Sequence, residues 1–288
     1  MKQPAALQKF CIIEEFLKSK RFSDALEQLN KIDSSSFSPS DKAYYSILVA
    51  EAKLFLGDYN LSDILLPTIE FYKYSNDNEK FARAKFLFGW MLDATGNLLE
   101  ARESLLESYA AYKRCDNLEG QAKALNDLAY VADLSGEVDS AISCLRQCID
   151  IYTGLSDNRA AMICSNNLGT VYLWSGLIEK AIVQYAETEK NISDAGEDIK
   201  YKHYIRYGLA IAHRGDIRRG RDILEKVRFL SPRLKREKAF YYEFSGWVYN
   251  LEGNFAEAEK TLLAGLEFSL KIAPESTLIS QLKRLLAD

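Results

Sequence analysis

Histidine is almost missing from this chain: His203 and His213 are the only two in 288 residues. A metal centre needs several clustered ligands, and two histidines ten positions apart on one helix point in different directions, so no metal site is expected. Cysteine is sparse and odd in number, with Cys11, Cys115, Cys144, Cys148 and Cys164 scattered along the chain. Such a set makes no compact disulfide framework and points to reduced thiols. Cys144 and Cys148 share a helix face, but it is the apolar stripe, where buried structural thiols are expected. The first apolar residues are interrupted by Lys2, Lys9 and Glu14, so there is no signal-peptide core, and no run is long and apolar enough to span a bilayer. These absences predict a cytoplasmic chain that does not engage membranes. A glycine-rich phosphate loop is also missing, because the glycines of "HRGDIRRGR" serve a turn and a close helix contact. Carboxylates are plentiful but accompany no plausible nucleophile, so neither enzymatic activity nor a cofactor is expected.

What the chain does contain is a repeat. With 48% hydrophobic and 27% charged residues it can bury a core, and its apolar pattern is punctuated at even intervals by Gly57, Gly96, Gly136, Gly176, Gly215 and Gly253. Successive spacings are 39, 40, 40, 39 and 38 residues, and a weaker unit turns at Lys20 and Arg21. Before the glycine the spacing is helical, as in Ala122, Leu125, Leu128, Ala129 and Ala132; after it Ala141, Ile142, Leu145, Cys148, Ile149 and Tyr152 form a second stripe. Seven helical hairpins are therefore expected, each glycine capping a first helix in the left-handed conformation. Asp58, Asn97, Asp216 and Asn254 follow directly and suit the turn.

Small residues pair across each hairpin: Gly89 with Ala101, Ala129 with Ala141, Gly169 with Ala181, Gly208 with Gly220 and Gly246 with Ala258. Close approach of two helices is the reason for tolerating glycine there. Pro232 and Pro274 fall near the ends of second helices, whereas Pro67 falls inside one and should kink it or delay its start. Residues 275–288 predict either a capping helix or the first helix of an eighth unit cut from a longer protein.

The small residue in the first helix, the Gly-Asp/Asn turn and the Ala in the second helix resemble the tetratricopeptide repeat in five of the seven units, roughly residues 80 to 272. Units one and two depart from it, with Ile13 at a small-residue position and Ser62 in place of Ala. The period exceeds the usual tetratricopeptide length of about 34 and is similar to the long-helix variety of maltose-regulator-type transcription activators, kinesin light chains and Rap-type signalling proteins. The resemblance implies an all-α, right-handed superhelix of stacked hairpins over residues 1–288 as a single solenoid, with a partner-binding groove walled by first helices.

That frame projects Trp90 and Asp93, then Asn126, Asp127, Tyr130 and Asp133, into the groove. Further along it projects Asn166, Asn167, Thr170 and Trp174, then Lys202 and Arg206, then Glu243 and Trp247. Aromatic anchors among amides and charges suit a peptide, although each ring is also compatible with packing between helices. Asn167, Lys202 and Arg206 resemble part of the clamp by which tetratricopeptide co-chaperones hold a C-terminal carboxylate, while Asn126 and Tyr130 replace that clamp's preceding Lys and Asn. From Lys200 to Lys238 the chain carries 13 Lys or Arg against 4 Asp or Glu. Arg214, Arg218, Arg219 and Arg221 crowd one turn of this run. It suits an acidic partner, another copy of the chain or nucleic acid, or is a solvated face; no helix-turn-helix or aromatic RNA-binding signature supports direct nucleic-acid recognition.

The leading expectation is a non-catalytic protein- or peptide-binding scaffold or sensor within a larger regulatory protein, such as a transcription regulator, with another domain of its own chain as a further candidate partner. The alternative is a Rap-type regulator that responds to a signalling peptide and acts on a response regulator, although such proteins carry an N-terminal bundle and here the repeats begin almost at Met1. Self-association through the solenoid surface is the third possibility.

Overall fold

The computed structural model describes residues 5–227, 230 and 235–272. Pro232, Pro274 and the terminal segment 275–288 lie outside the described residues. The described chain is all-α and divides into two compact units, Met1–Tyr152 and Thr153–Asp288.

The first unit contains α1 (Ala5–Lys18), α2 (Phe22–Asn30), α3 (Pro39–Phe55), α4 (Ser62–Lys73), α5 (Asn78–Ala94), α6 (Leu98–Arg114), α7 (Leu118–Leu134) and α8 (Val138–Gly154). They follow one another as four hairpins, and among the first helices α1 touches α3, α3 touches α5 and α5 touches α7. The second unit contains α9 (Asn158–Trp174), α10 (Ile178–Glu189), α11 (Glu197–His213), α12 (Ile217–Glu225), α13 (Lys235–Leu251) and α14 (Phe255–Ile272), with a short 3-10 turn at Ile192–Asp194. Here α9, α11 and α13 are the successive first helices.

The turns follow from backbone chemistry. Gly136 has φ 76° and Gly176 φ 75°, a region that costs an ordinary L-residue about 1–2 kcal/mol. The amides just beyond close the helix ends, Glu137 N bonding Ala132 O and Leu177 N bonding Tyr172 O at 2.8 Å. Between hairpins, other residues do the capping. Ser38, Asp77, Asn117 and Asp157 accept hydrogen bonds from the backbone amides of Asp41, Lys80, Gly120 and Ala160 and so open α3, α5, α7 and α9.

Packing across each hairpin is more specific than small against small. A Cβ on Gly169 would lie 2.6 Å from the Tyr185 ring, and one on Gly89 would lie 2.8 Å from Leu105. On Gly246 it would meet Leu262 at 2.5 Å, and on Gly208 it would meet the Gly220 carbonyl and Leu224 at 2.8 Å. The glycine thus receives a large side chain one turn beyond the small residue of the second helix, and in the Gly208 hairpin the two backbones also touch. Pro67 lies inside α4, whose start at Ser62 is five residues past Gly57; α6 starts two residues past Gly96. The second-helix start is delayed in that hairpin. Ile13, where the repeat has a small residue, is 1% exposed in a local core with Phe10, Leu17, Ala25 and Leu29.

Candidate binding surface

In the first unit the first-helix face carries an ionic network. Arg83 of α5 donates to Glu51 of α3 at 2.5 and 2.9 Å and to Glu14 of α1 at 2.5 Å, while the Tyr44 hydroxyl also donates to Glu14. Burial opposes ionisation of Glu14, but the Arg83 guanidinium outweighs it and holds the carboxyl below its ordinary range. One guanidinium thereby ties three successive first helices together.

Farther along that face the carboxylates are less satisfied. Burial pushes the Asp127 carboxyl up to about 6; the Asn126 amide, donating at 3.0 Å, partly opposes this, and the charge of Asp93 adds to it. One Asp93 carboxylate oxygen is buried without a hydrogen-bond partner, and burial raises both Asp93 and Asp133. Tyr130 stands 54% exposed. Trp90 is half-buried, meeting Phe55 edge-on at 4.6 Å, and Phe55 stacks on Phe22 at 4.0 Å. Trp90 therefore contributes packing between first helices as well as surface.

In the second unit Asn166 departs from its groove assignment. It is 4% exposed, and its Oδ1 lies 2.8 Å from His203 Nδ1, so it belongs to the interior between α9 and α11. At position 166 the side chain falls behind the first-helix face, where the fully buried His203 meets it. Asn167, Lys202 and Arg206 are half-buried on α9 and α11. Among the described residues Arg206 makes no ion pair, although its charge reaches the Tyr185 phenol. Trp174 is 55% exposed, with its ring 6.2 Å from that of Phe244. Trp247 lies over His213 with ring centroids 4.3 Å apart.

The basic turn is partly neutralised within its own unit. Arg221 pairs with Glu252 at 3.0 Å, Lys226 pairs with Glu189 at 2.7 Å, and Arg214 reaches Glu179 only at 4.0 Å. Arg218 and Arg219 are exposed and without an ion pair among the described residues. Of the cysteines, Cys148 is fully buried and its thiol donates to the Ala122 carbonyl, while Cys144 is half-buried and its thiol is raised by burial. Among the described residues no group of three or more His, Cys, Asp and Glu is placed to hold a metal ion, and no helix is long and apolar enough to cross a membrane.

Sequence reasoning missed the Arg83 network and the His203 to Asn166 contact. The first joins residues 69 positions apart and the second joins two polar residues through the core, so no local periodicity signals either.

The tetratricopeptide repeat family matches residues 122–154, the α7/α8 hairpin. No curated protein matches the sequence. Among solved structures the chain is similar to NprR in complex with its cognate peptide NprX (TM-score 0.74, 13% identity, covering 99% of this chain and 84% of that one). It is also similar to aspartyl phosphate phosphatase F from Bacillus subtilis (TM-score 0.66, 13% identity, 94% and 70%). A third is a putative kinesin light chain from Podosopora anserina with nearly identical tetratricopeptide-like repeats (TM-score 0.57, 16% identity, 67% and 95%). The hairpin frame, the repeat matched at residues 122–154 and the likeness to these structures show an all-α fold of tetratricopeptide-like helical hairpins.

Proposed function

We propose that this chain is a non-catalytic peptide- or protein-binding scaffold, the sensor region of a cytoplasmic regulatory protein, and that the first-helix face of its second unit receives the ligand. The observation that carries this reading is Arg206, a half-buried guanidinium with no ion pair among the described residues, on a face shared with Asn167, Lys202 and the exposed Trp174. A guanidinium in that setting has donors to spare and binds a carboxylate in bidentate fashion. Asn167 brings both donor and acceptor to a peptide backbone, and Trp174 offers area to bury. The similarity to NprR, solved with a cognate peptide, is consistent with this use of the fold.

An array of short peptides, with free and with amidated C-termini, tests the reading. The wild-type chain should retain a subset that the Asn167→Ala, Arg206→Glu double variant loses at unchanged helicity. Equal retention by both removes the face assignment, and no retention by either removes the peptide reading. A second reading, a regulator acting on a response regulator, rests on the similarity to aspartyl phosphate phosphatase F. Unchanged phosphate lifetimes across a panel of phosphorylated response regulators would dismiss it.

A further inference from the structure

We infer that the first-helix face of α13 holds a cation subsite, in which the Glu243 carboxylate, set among aromatic rings, takes an ammonium or guanidinium group of a peptide ligand. This rests on the scaffold reading and names the chemistry of one part of that surface.

Phe240, Glu243, Phe244 and Trp247 fall at i, i+3, i+4 and i+7 along α13, one continuous stripe. The rings of Phe240 and Phe244 stack at 6.1 Å, and Trp174 of α9 approaches Phe244 at 6.2 Å. Trp247 closes the far end of the stripe over His213 of α11. Glu243 is thus an acid in an aromatic row that reaches from α13 past α11 to the exposed Trp174 at the end of α9.

Its electrostatics set it apart. The half-buried glutamates Glu14, Glu51, Glu189 and Glu252 each hold an Arg or Lys within 3.0 Å. Glu243 has neither ion pair nor hydrogen bond among the described residues. Burial pushes its carboxyl up to about 7, and no charge among the described residues offsets it. The basic side chains of α11 therefore do not reach it, and burial also lowers His213, which favours the neutral ring beside Trp247. A desolvated carboxylate without a counterion is costly, and a bound cation removes that cost. The exposed Trp174 ring at the end of the row attracts the same charge by about 0.5–2 kcal/mol. An anionic or purely apolar group gains nothing from Glu243.

The test uses small probes on the full chain, read by the indole N–H resonances of its three tryptophans. N-acetyl-lysine methylamide and N-acetyl-arginine methylamide present side-chain cations, glycine methylamide presents a terminal ammonium, and N-acetyl-norleucine methylamide is the neutral control. At least one cationic probe should shift Trp174 and Trp247 saturably while leaving Trp90 of the first unit in place. Which probe does so distinguishes a side chain from an N-terminus. Glu243→Gln, which keeps shape and removes charge, should weaken that binding by about tenfold or more, and Glu243→Asp should recover part of it. Equal shifts from the norleucine probe, an unaffected Glu243→Gln variant, or no shift with any probe would overturn the subsite. Cationic probes that bind while the peptide array retains nothing would leave the subsite standing and remove the scaffold reading; array binding without probe binding would do the reverse.

Discussion

His203 Nδ1 lies 2.8 Å from Asn166 Oδ1, joining α11 to α9 inside the second unit with the imidazole fully buried. The rings of Tyr204, Tyr185 and Tyr207 surround it at 5.2, 5.7 and 5.7 Å. Burial lowers the imidazole to about 4, with Glu189 opposing and Lys226 adding slightly.

The sign of the pH effect follows. A histidine whose folded pKa lies below its unfolded value of about 6.5 favours folding while neutral, and that contribution is lost as pH falls from about 6.5 to 4. The separation corresponds to about 3 kcal/mol. Asp127 and Glu243 shift the other way, because raised carboxyl pKa values destabilise the folded state as pH rises through them. The comparison with His203→Gln isolates the histidine. Its unfolding free energy, measured in urea, should approach and then exceed that of the wild type as pH drops from 7 to 4, with the difference moving by about 3 kcal/mol. A constant difference would place the imidazole in water.

Gly169→Ala should destabilise the second unit by about 1–3 kcal/mol. Alanine favours an exposed helix by about 1 kcal/mol, but here its Cβ would lie 2.6 Å from a fully buried Tyr185 ring whose hydroxyl is 3.2 Å from the Thr170 hydroxyl. The ring cannot swing aside without losing that contact. A variant with a raised urea midpoint would contradict the close packing.

Ser156 and Gly176 make a matched pair. Ser156 adopts φ 59° in an exposed turn, so Ser156→Gly should raise stability by about 0.5–1 kcal/mol after the greater unfolded-state freedom of glycine is counted. Gly176→Ala should lower it by about 1 kcal/mol or more. Thermal unfolding of the two variants reads both signs, and shifts in the same direction would argue against left-handed turns at these positions.

Arg83→Met leaves Glu14 and Glu51 without their cation. Because these side chains remain 19–22% exposed, the loss should be about 2 kcal/mol, smaller than for a fully buried pair. A Glu14→Gln, Glu51→Gln, Arg83→Met triple variant should recover most of it in thermal unfolding. No recovery would show that the guanidinium acts through packing alone.

The fold was legible wherever one residue type answers one physical demand. A glycine every 38 to 40 residues marks left-handed turns, and apolar stripes mark buried faces. The turns at Asp116 and Ser156 were not legible, since their positive φ is carried by residues that are common everywhere. Nor was the partner of each small residue: sequence spacing pairs Gly169 with Ala181, yet it is the bulk of Tyr185 that requires the glycine. On the proposed binding face, helical spacing located Arg206, Trp174 and Glu243 on first helices. It misassigned Asn166, because adjacent amides at 166 and 167 look alike until the buried His203 claims one of them.

Hydrogen exchange of the chain with and without a peptide selected from the array tests the central claim most directly. Binding should slow exchange in α9, α11 and α13 of the second unit and leave α10, α12 and α14 unchanged, with the effect lost in the Asn167→Ala, Arg206→Glu variant. Protection centred on the second helices, or persisting in that variant, would contradict a ligand held on the first-helix face.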